Sequence, residues 1–176
     1  MGYIFDQQQI FPEKQTILRI KSLMYEKQIQ LVKDECESKP KLRTFMQFKD
    51  FTTLPPHVGK PLSFVERRTI SKLRLGILPL RIETARYTRP IVPENERLCY
   101  CGSGEIESEF HALFICRVYS DLRQIWLNKI CIPDNFHILP REEQLKLVLN
   151  VPENVKHTSQ YLILLMDLRR LQNKEY

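Results

Sequence analysis

Residues 98–122 read LCYCGSGEIESEFHALFICRVYSDL, a stretch that holds three of the five cysteines and one of the four histidines of the 176-residue chain. Cys99 and Cys101 are separated by one residue, and four residues separate His111 from Cys116. Three sulfur atoms and one imidazole nitrogen form a ligand set that suits tetrahedral zinc. The sequence therefore predicts a small Cys-Cys-His-Cys site for one Zn²⁺ ion, with these four residues as ligands.

Two of the five glycines, Gly102 and Gly104, directly follow the cysteine pair. Glycine permits sharp turns and positive φ, so a hairpin-like turn here can direct both sulfurs inward. The single residue between the cysteines is fewer than the two to four that usually open a structural zinc site. Two other interpretations therefore stay open, namely three reduced thiols beside a core histidine, and a disulfide. Cys131 and His137 are a less specific pair of substitute ligands.

The spacing of His111 and Cys116 is incompatible with a shared ion on one straight α-helix. On one unbroken α-helix, residues five apart point roughly 140° away from each other. They can share one ion only if the helix bends or ends between them. The sequence therefore predicts a short helix to about Leu113, a break near Cys116 and a new helix from about Val118.

Helical signals cover most of the remaining chain. Ser63 and Glu66 have the spacing of a capping box, and Gly76 is placed to end the helix that they begin. Apolar residues recur at helical spacing in several further segments, and residues 1–11 are expected to be a loose lead-in. The predicted helices cover about 13–38, part of 41–51, 63–75, 80–87, 118–129, 141–150 and 154–172, with Pro40 ending the first and Asn154 capping the last.

These elements predict a mainly α chain. We expect an irregular helical domain organised around a small zinc-knuckle-like cluster, with long N-terminal and C-terminal helices. The chain divides into an N-terminal helical extension (1–40), a zinc-binding module (41–130) and a C-terminal helical extension (131–176).

Basic residues are concentrated immediately before the cysteine pair. The net charge of the chain is +6, and residues 60–97 alone carry nine basic and four acidic side chains. A basic segment of this kind favours contact with RNA or DNA, although a solvated face with an ion pair such as Glu83–Arg86 is the alternative. The expected phosphate contacts are Arg67, Arg68, Lys72, Arg74, Arg81 and Arg86.

Several functional classes are disfavoured by the sequence. An odd number of cysteines and no apolar leader after Met1 lead us to expect an intracellular protein of the cytoplasm or nucleus. The longest apolar run, residues 161–166, is far shorter than a membrane span. The sequence has neither a paired-carboxylate polymerase motif nor a glycine-rich phosphate loop. We therefore expect no catalytic activity, no small-molecule substrate and no membrane insertion.

Three segments resemble one known family. KLRLGILPLRIETARY (72–87), ERLC (96–99) and GEIESEFHALFIC (104–116) are similar to the region downstream of the polymerase in LINE-type non-LTR retrotransposon reverse transcriptases. The resemblance covers about residues 41–126. That region carries a Cys-Cys-His-Cys zinc-binding-like module, which usually has two or three residues between its first cysteines, where this chain has only Tyr100.

The resemblance implies zinc ligands at Cys99, Cys101, His111 and Cys116. It also implies that the module binds element RNA or target DNA for a polymerase that lies elsewhere in a longer polyprotein. The first functional hypothesis is therefore a non-catalytic nucleic-acid-binding accessory module. The alternative is a structural or protein-interaction module, in which zinc serves only folding and the apolar last helix docks on a partner.

Overall fold

The computed structural model describes residues 13–39, 42–48 and 54–172. The chain divides into two compact units, Met1–Ser38 and Lys39–Tyr176. The predicted lead-in at 1–11 and the helix stop at Pro40 lie outside the described residues. Segments 41–130 and 131–176, which the sequence separated, belong to the same unit.

The described part of the chain is helical and contains no β-strand beyond one isolated bridge between Leu98 and Ile106. This confirms the prediction of a mainly α chain with a Cys-Cys-His-Cys cluster. Shorter helical turns of the 3-10 type occur at Glu94–Glu96, Arg117–Tyr119 and Phe136–Ile138, and a π-helix occupies His111–Ile115. The α-helices are α1 (Glu13–Glu37), α2 (Arg43–Phe48), α3 (Pro56–Gly59), α4 (Phe64–Arg74), α5 (Arg81–Thr84), α6 (Ser120–Leu127), α7 (Arg141–Asn150) and α8 (Asn154–Gln172).

Local signals set both ends of α4. The backbone N–H of Ser63 donates to the Glu66 carboxylate at 2.8 Å, and the Glu66 N–H donates to the Ser63 hydroxyl at 3.2 Å, which completes the predicted capping box. At the other end, Gly76 has a φ of 66°. The Ile77 N–H then reaches back to the Lys72 carbonyl at 2.9 Å, which is the pattern of a Schellman C-cap.

The core of the Lys39–Tyr176 unit forms around α8. This helix packs against α3, α4, α6 and α7. The Trp126 ring of α6 stacks on the Tyr161 ring of α8, with centroids 4.3 Å apart and planes within 4°. Fully buried core side chains come from every long helix of this unit and include Ile70, Leu73, Leu145, Val148, Leu149, Leu162 and Leu165.

Asn154 stands at the start of α8 but does more than begin that helix. Its side chain is fully buried. It accepts from the Cys131 N–H at 2.7 Å and donates to the carbonyls of Cys131 and Leu147 at 2.8 and 2.9 Å. Asn154 therefore joins the loop after α6 to the end of α7, whereas the sequence predicted only a cap. In the described part of the chain, no helix combines the length and the apolar character that crossing a bilayer requires.

Candidate metal centre

The four predicted ligand residues converge on one small volume. One potential ligand atom from each of Cys99, Cys101, His111 and Cys116 lies within 4.8 Å of all the others, and all four residues are buried. Two of these residues come from a loop and two from the ends of one helical turn. The chain therefore forms a buried Cys₃His cluster that could hold a metal ion.

The loop of residues 97–107 carries the two cysteines of the C-x-C pair. The bridge between Leu98 and Ile106 closes the loop, and the Cys99 N–H donates to the Glu105 carbonyl at 2.7 Å. Gly102 and Gly104 have φ values of 74° and 75°, a region that favours glycine. The predicted hairpin-like turn is thus present, and it depends on both glycines.

Alternate side chains of this loop face opposite directions, which explains how so short a spacing places both sulfurs together. Cys99 and Cys101 are buried, whereas Leu98 and Tyr100 are 40% and 60% exposed. Residues 99–102 form a turn, in which the Gly102 N–H donates to the Cys99 carbonyl at 3.4 Å. This turn therefore directs the two sulfurs of the C-x-C pair inward while the intervening Tyr100 faces solvent.

His111 and Cys116 are brought together by a π-helical turn. The Cys116 N–H donates to the His111 carbonyl at 2.8 Å, a bond that spans five residues where an α-helix spans four. The wider turn returns residue 116, and not residue 115, to the side of residue 111. The chain then leaves the helix at Cys116, where ψ is 120°, and resumes as Arg117–Tyr119 and α6. The expected break between the two ligands is therefore present, in a form that spacing alone did not specify.

Side chains from α6 and α8 stabilise this turn. The Arg123 guanidinium donates to the Leu113 carbonyl at 2.7 Å and also to the Cys116 carbonyl. The Tyr161 hydroxyl donates to Leu113 at 3.2 Å. Carbonyl groups at a helix end need such partners when they are buried. Sequence reasoning missed Arg123, and its place in the apolar pattern of α6 gave no signal for this role.

Two of the separations within the cluster match those of ligands around a tetrahedral ion. Two sulfurs bound to zinc at ~2.3 Å each are about 3.8 Å apart, and a sulfur and an imidazole nitrogen are about 3.6 Å apart. The Cys99 and Cys116 sulfurs are separated by 3.8 Å. The Cys101 sulfur lies 3.4 Å from Nε2 of His111. The donor set and its spacing therefore fit zinc.

A carboxylate fixes the orientation of the histidine ring. Nδ1 of His111 donates to the Glu105 carboxylate at 2.8 Å, and Nε2 faces the sulfurs. A ligating histidine usually donates its second N–H to a carboxylate in this way. Sequence reasoning did not assign a role to Glu105, although its position in the Glu-rich run before His111 was a usable signal.

The acidities of the four groups depend on one another. The hydrogen bond between Cys99 and Cys116 lowers the pKa of Cys116 to about 4 and raises the pKa of Cys99. Burial acts to lower the pKa of His111, but hydrogen bonds with Cys116, Glu105 and Cys101 outweigh burial and raise it to about 9. At neutral pH, a metal ion must therefore displace a proton from Cys99 and another from His111. Affinity for the metal consequently rises with pH.

Replacing Glu105 with alanine is expected to weaken metal binding about 10- to 100-fold, the usual loss when the partner of a ligating histidine is removed. Competition against a chromophoric chelator measures this affinity. Glu142→Ala is the matched control, because Glu142 is an exposed acid that lines the same cleft from α7. Equal affinities of the two variants would contradict the role given to Glu105.

The disulfide interpretation of the cysteines does not fit the structure, whereas three reduced thiols beside a buried histidine are compatible with it. All five cysteines are free thiols, and the 3.8 Å between the Cys99 and Cys116 sulfurs is far longer than a disulfide bond of about 2.05 Å. Cys131 and His137 are both exposed and lie outside the cluster.

The six residues expected to contact phosphates do not form one free surface. Arg74 is 4% exposed, and its guanidinium donates to the Leu149 carbonyl at 2.9 Å and to the Asn150 side chain at 3.1 Å. Burial lowers the pKa of Arg74 to about 10. Arg67 donates to several backbone carbonyls of residues 57–62. Arg74 is therefore a core residue, and Arg67 holds the preceding loop.

The remaining four basic residues occupy different environments. Arg86 pairs with Glu83 at 3.2 Å, as the spacing predicted. Arg81 lies over the Tyr100 ring, with its guanidinium carbon 4.7 Å from the ring centroid. Arg68 is exposed and Lys72 is half-buried. Arg81 therefore contacts the cysteine loop.

Comparisons of the chain with known protein families, with curated proteins and with solved structures gave no match.

Proposed function

We propose that the chain is a non-catalytic helical module whose fold is held together by one zinc ion. The observation that carries this proposal is the convergence of one ligand atom from each of four buried residues to within 4.8 Å. Thiolate and imidazole ligands favour zinc over magnesium or calcium, which prefer oxygen. A full set of four protein ligands leaves no open position for substrate, which is typical of structural and not catalytic zinc sites.

The segment between α5 and the π-helix would be stabilised by such a cross-link. Between α5 and the π-helix, the described backbone forms one short 3-10 turn and one isolated bridge. A segment with so little regular secondary structure gains stability from a cross-link. A zinc ion would join this loop, through Cys99 and Cys101, to the helical turn that ends at Cys116.

The metal content of the purified protein tests the proposal. We expect one zinc ion per chain, retained through dialysis. Cys116→Ser should lose it, and Cys131→Ser should keep it, because Cys131 is an exposed thiol outside the cluster. A wild-type protein purified with zinc in the medium but free of zinc would overturn the proposal.

A second candidate function, binding of single-stranded nucleic acid, is supported by the outer face of the cysteine loop. Tyr100 is 60% exposed there, and Arg81 lies against its ring. Arg117 is also exposed, and its guanidinium lies beside Gly102. Exposed aromatic rings and arginines are the groups on which unpaired bases stack. The resemblance to retrotransposon reverse transcriptases supports the same function, with the chain as an accessory part of a longer polyprotein.

Tyr100→Ala is expected to weaken binding of a single-stranded RNA by about 5- to 150-fold, since one stacked base contributes ~1–3 kcal/mol. Filter binding over a range of salt concentrations measures this loss. Wild-type affinity should fall with salt, by a log–log slope of about −0.7 for each phosphate contacted. Tyr87→Ala is the control, because that tyrosine is 63% exposed. No binding at low salt, or an equal loss in both variants, would exclude this function.

A further inference from the structure

Helix α1 exposes a large amount of apolar surface. Most of its large apolar side chains are at least 39% exposed, and Met24 reaches 67%. Helices in water depend on packing an apolar face for most of their stability. Four of the exposed residues share one face at intervals of three, four and seven, namely Ile17, Ile20, Met24 and Leu31. We call these four residues the α1 stripe.

The charges of α1 are divided between its two halves. Residues 13–25 carry three basic and one acidic side chain, a net charge of +2, whereas residues 26–37 carry two basic and four acidic side chains, a net charge of −2. The macrodipole of a helix favours the opposite arrangement, with acidic residues near the N-terminus and basic residues near the C-terminus. The charge pattern of α1 is therefore not one that stabilises a solitary helix.

We propose that α1 pairs with α1 of a second copy of this chain, and that the two helices run antiparallel. This arrangement sets each basic half against an acidic half and each helix dipole against its opposite. A parallel pair would set basic against basic and acidic against acidic. Ile17 and Leu31 lie seven residues on either side of Met24. In an antiparallel pair centred on Met24, each Ile17 therefore faces Leu31 of the second copy, the two Met24 side chains face each other, and Ile20 faces Gln28.

Sedimentation of the full chain tests the pairing. We expect the wild-type protein to be a dimer at tens of micromolar. Two charge variants should be monomers, because each gives both halves of α1 a net charge of the same sign. The variants are Lys14→Glu/Arg19→Glu/Lys21→Glu and Asp34→Lys/Glu35→Lys/Glu37→Lys. A mixture of the two should form a heterodimer, and one chain carrying both sets of changes should again be a homodimer.

Two controls make these results decisive. Met24→Glu/Leu31→Glu should be monomeric because it interrupts the α1 stripe. Trp126 fluorescence reports whether the Lys39–Tyr176 unit of each variant remains folded. A monomeric wild-type protein, a dimer that is indifferent to both charge variants, or a mixture that fails to associate would each overturn the antiparallel pair.

Discussion

Cys116→Ser is expected to lower the free energy of unfolding of the zinc-loaded protein by about 4 kcal/mol or more. Binding to the folded state alone contributes ~4 kcal/mol when free zinc is a thousandfold above Kd, and structural zinc sites bind far more tightly than that. The loss should be large because Cys116 closes the π-turn and its sulfur lies 3.8 Å from that of Cys99. Chemical denaturation at fixed free zinc, followed by Trp126 fluorescence, measures the difference.

The controls separate the loss of metal from the loss of a buried thiol. A chelator should destabilise the wild-type protein to nearly the level of Cys116→Ser and should leave that variant almost unchanged. Cys131→Ser should unfold like the wild-type protein and should respond to the chelator in the same way. If the chelator leaves wild-type unfolding unchanged, the cluster contributes to the fold only as buried side chains, and zinc has no part in its stability.

Local sequence signals were sufficient to predict those features of the fold and of the site whose residues lie within a few positions of one another. Ser63 and Glu66 predicted the start of α4, and Gly76 predicted its end. The spacing of His111 and Cys116 predicted that the helix must break between two ligands. The π-turn was not predicted, because a break can take several forms and the choice depends on Arg123 and Tyr161, which lie on other helices.

The basic residues show why a helical pattern is a weaker guide to a binding surface. Arg67 and Arg74 are seven residues apart and so lie on one face of α4, but the spacing does not reveal what that face contacts. Arg74 lies against the end of α7, where its guanidinium donates to the Leu149 carbonyl. A cation at a helix C-terminus is favourable because it satisfies carbonyls that have no partner within the helix. Only the packing of α4 with the elements around it decides between such a role and contact with phosphate.

Arg169→Ala is expected to lower the free energy of unfolding by about 3–5 kcal/mol, the usual loss when one partner of a buried ion pair is removed. Arg169 of α8 forms two bonds of 2.8 Å with the Glu107 carboxylate, and Glu107 is 2% exposed. Burial acts to lower the pKa of Arg169, but the hydrogen bond and the charge of Glu107 outweigh burial and raise it. The truncation would leave Glu107 buried without its counter-ion.

The adjacent Arg170 supplies a matched control. It pairs with Asp167 at 3.0 Å, with both side chains more than half exposed, so Arg170→Ala should change stability by less than about 1 kcal/mol. Glu107→Gln/Arg169→Met should recover most of the lost stability, because both side chains of the pair are then neutral. In the wild-type protein, the backbone N–H of Arg81 donates to the Glu107 carboxylate at 2.6 Å. The side-chain carbonyl of the glutamine can still accept that hydrogen bond. If Arg169→Ala lowers the free energy of unfolding no more than Arg170→Ala does, the Arg169–Glu107 pair does not stabilise the cysteine loop.

The same pair connects α8 to the metal centre. Glu107 lies in the loop between Cys101 and His111, where its N–H donates to the Arg97 carbonyl at 2.9 Å. Loss of the ion pair should therefore loosen the loop that positions the two cysteines and weaken metal affinity as well as global stability. Measuring zinc affinity in Arg169→Ala and in the double variant separates these effects. Affinity and stability should both be restored in the double variant, whereas restored stability with weak zinc binding would mean that the charge itself orders the cysteine loop.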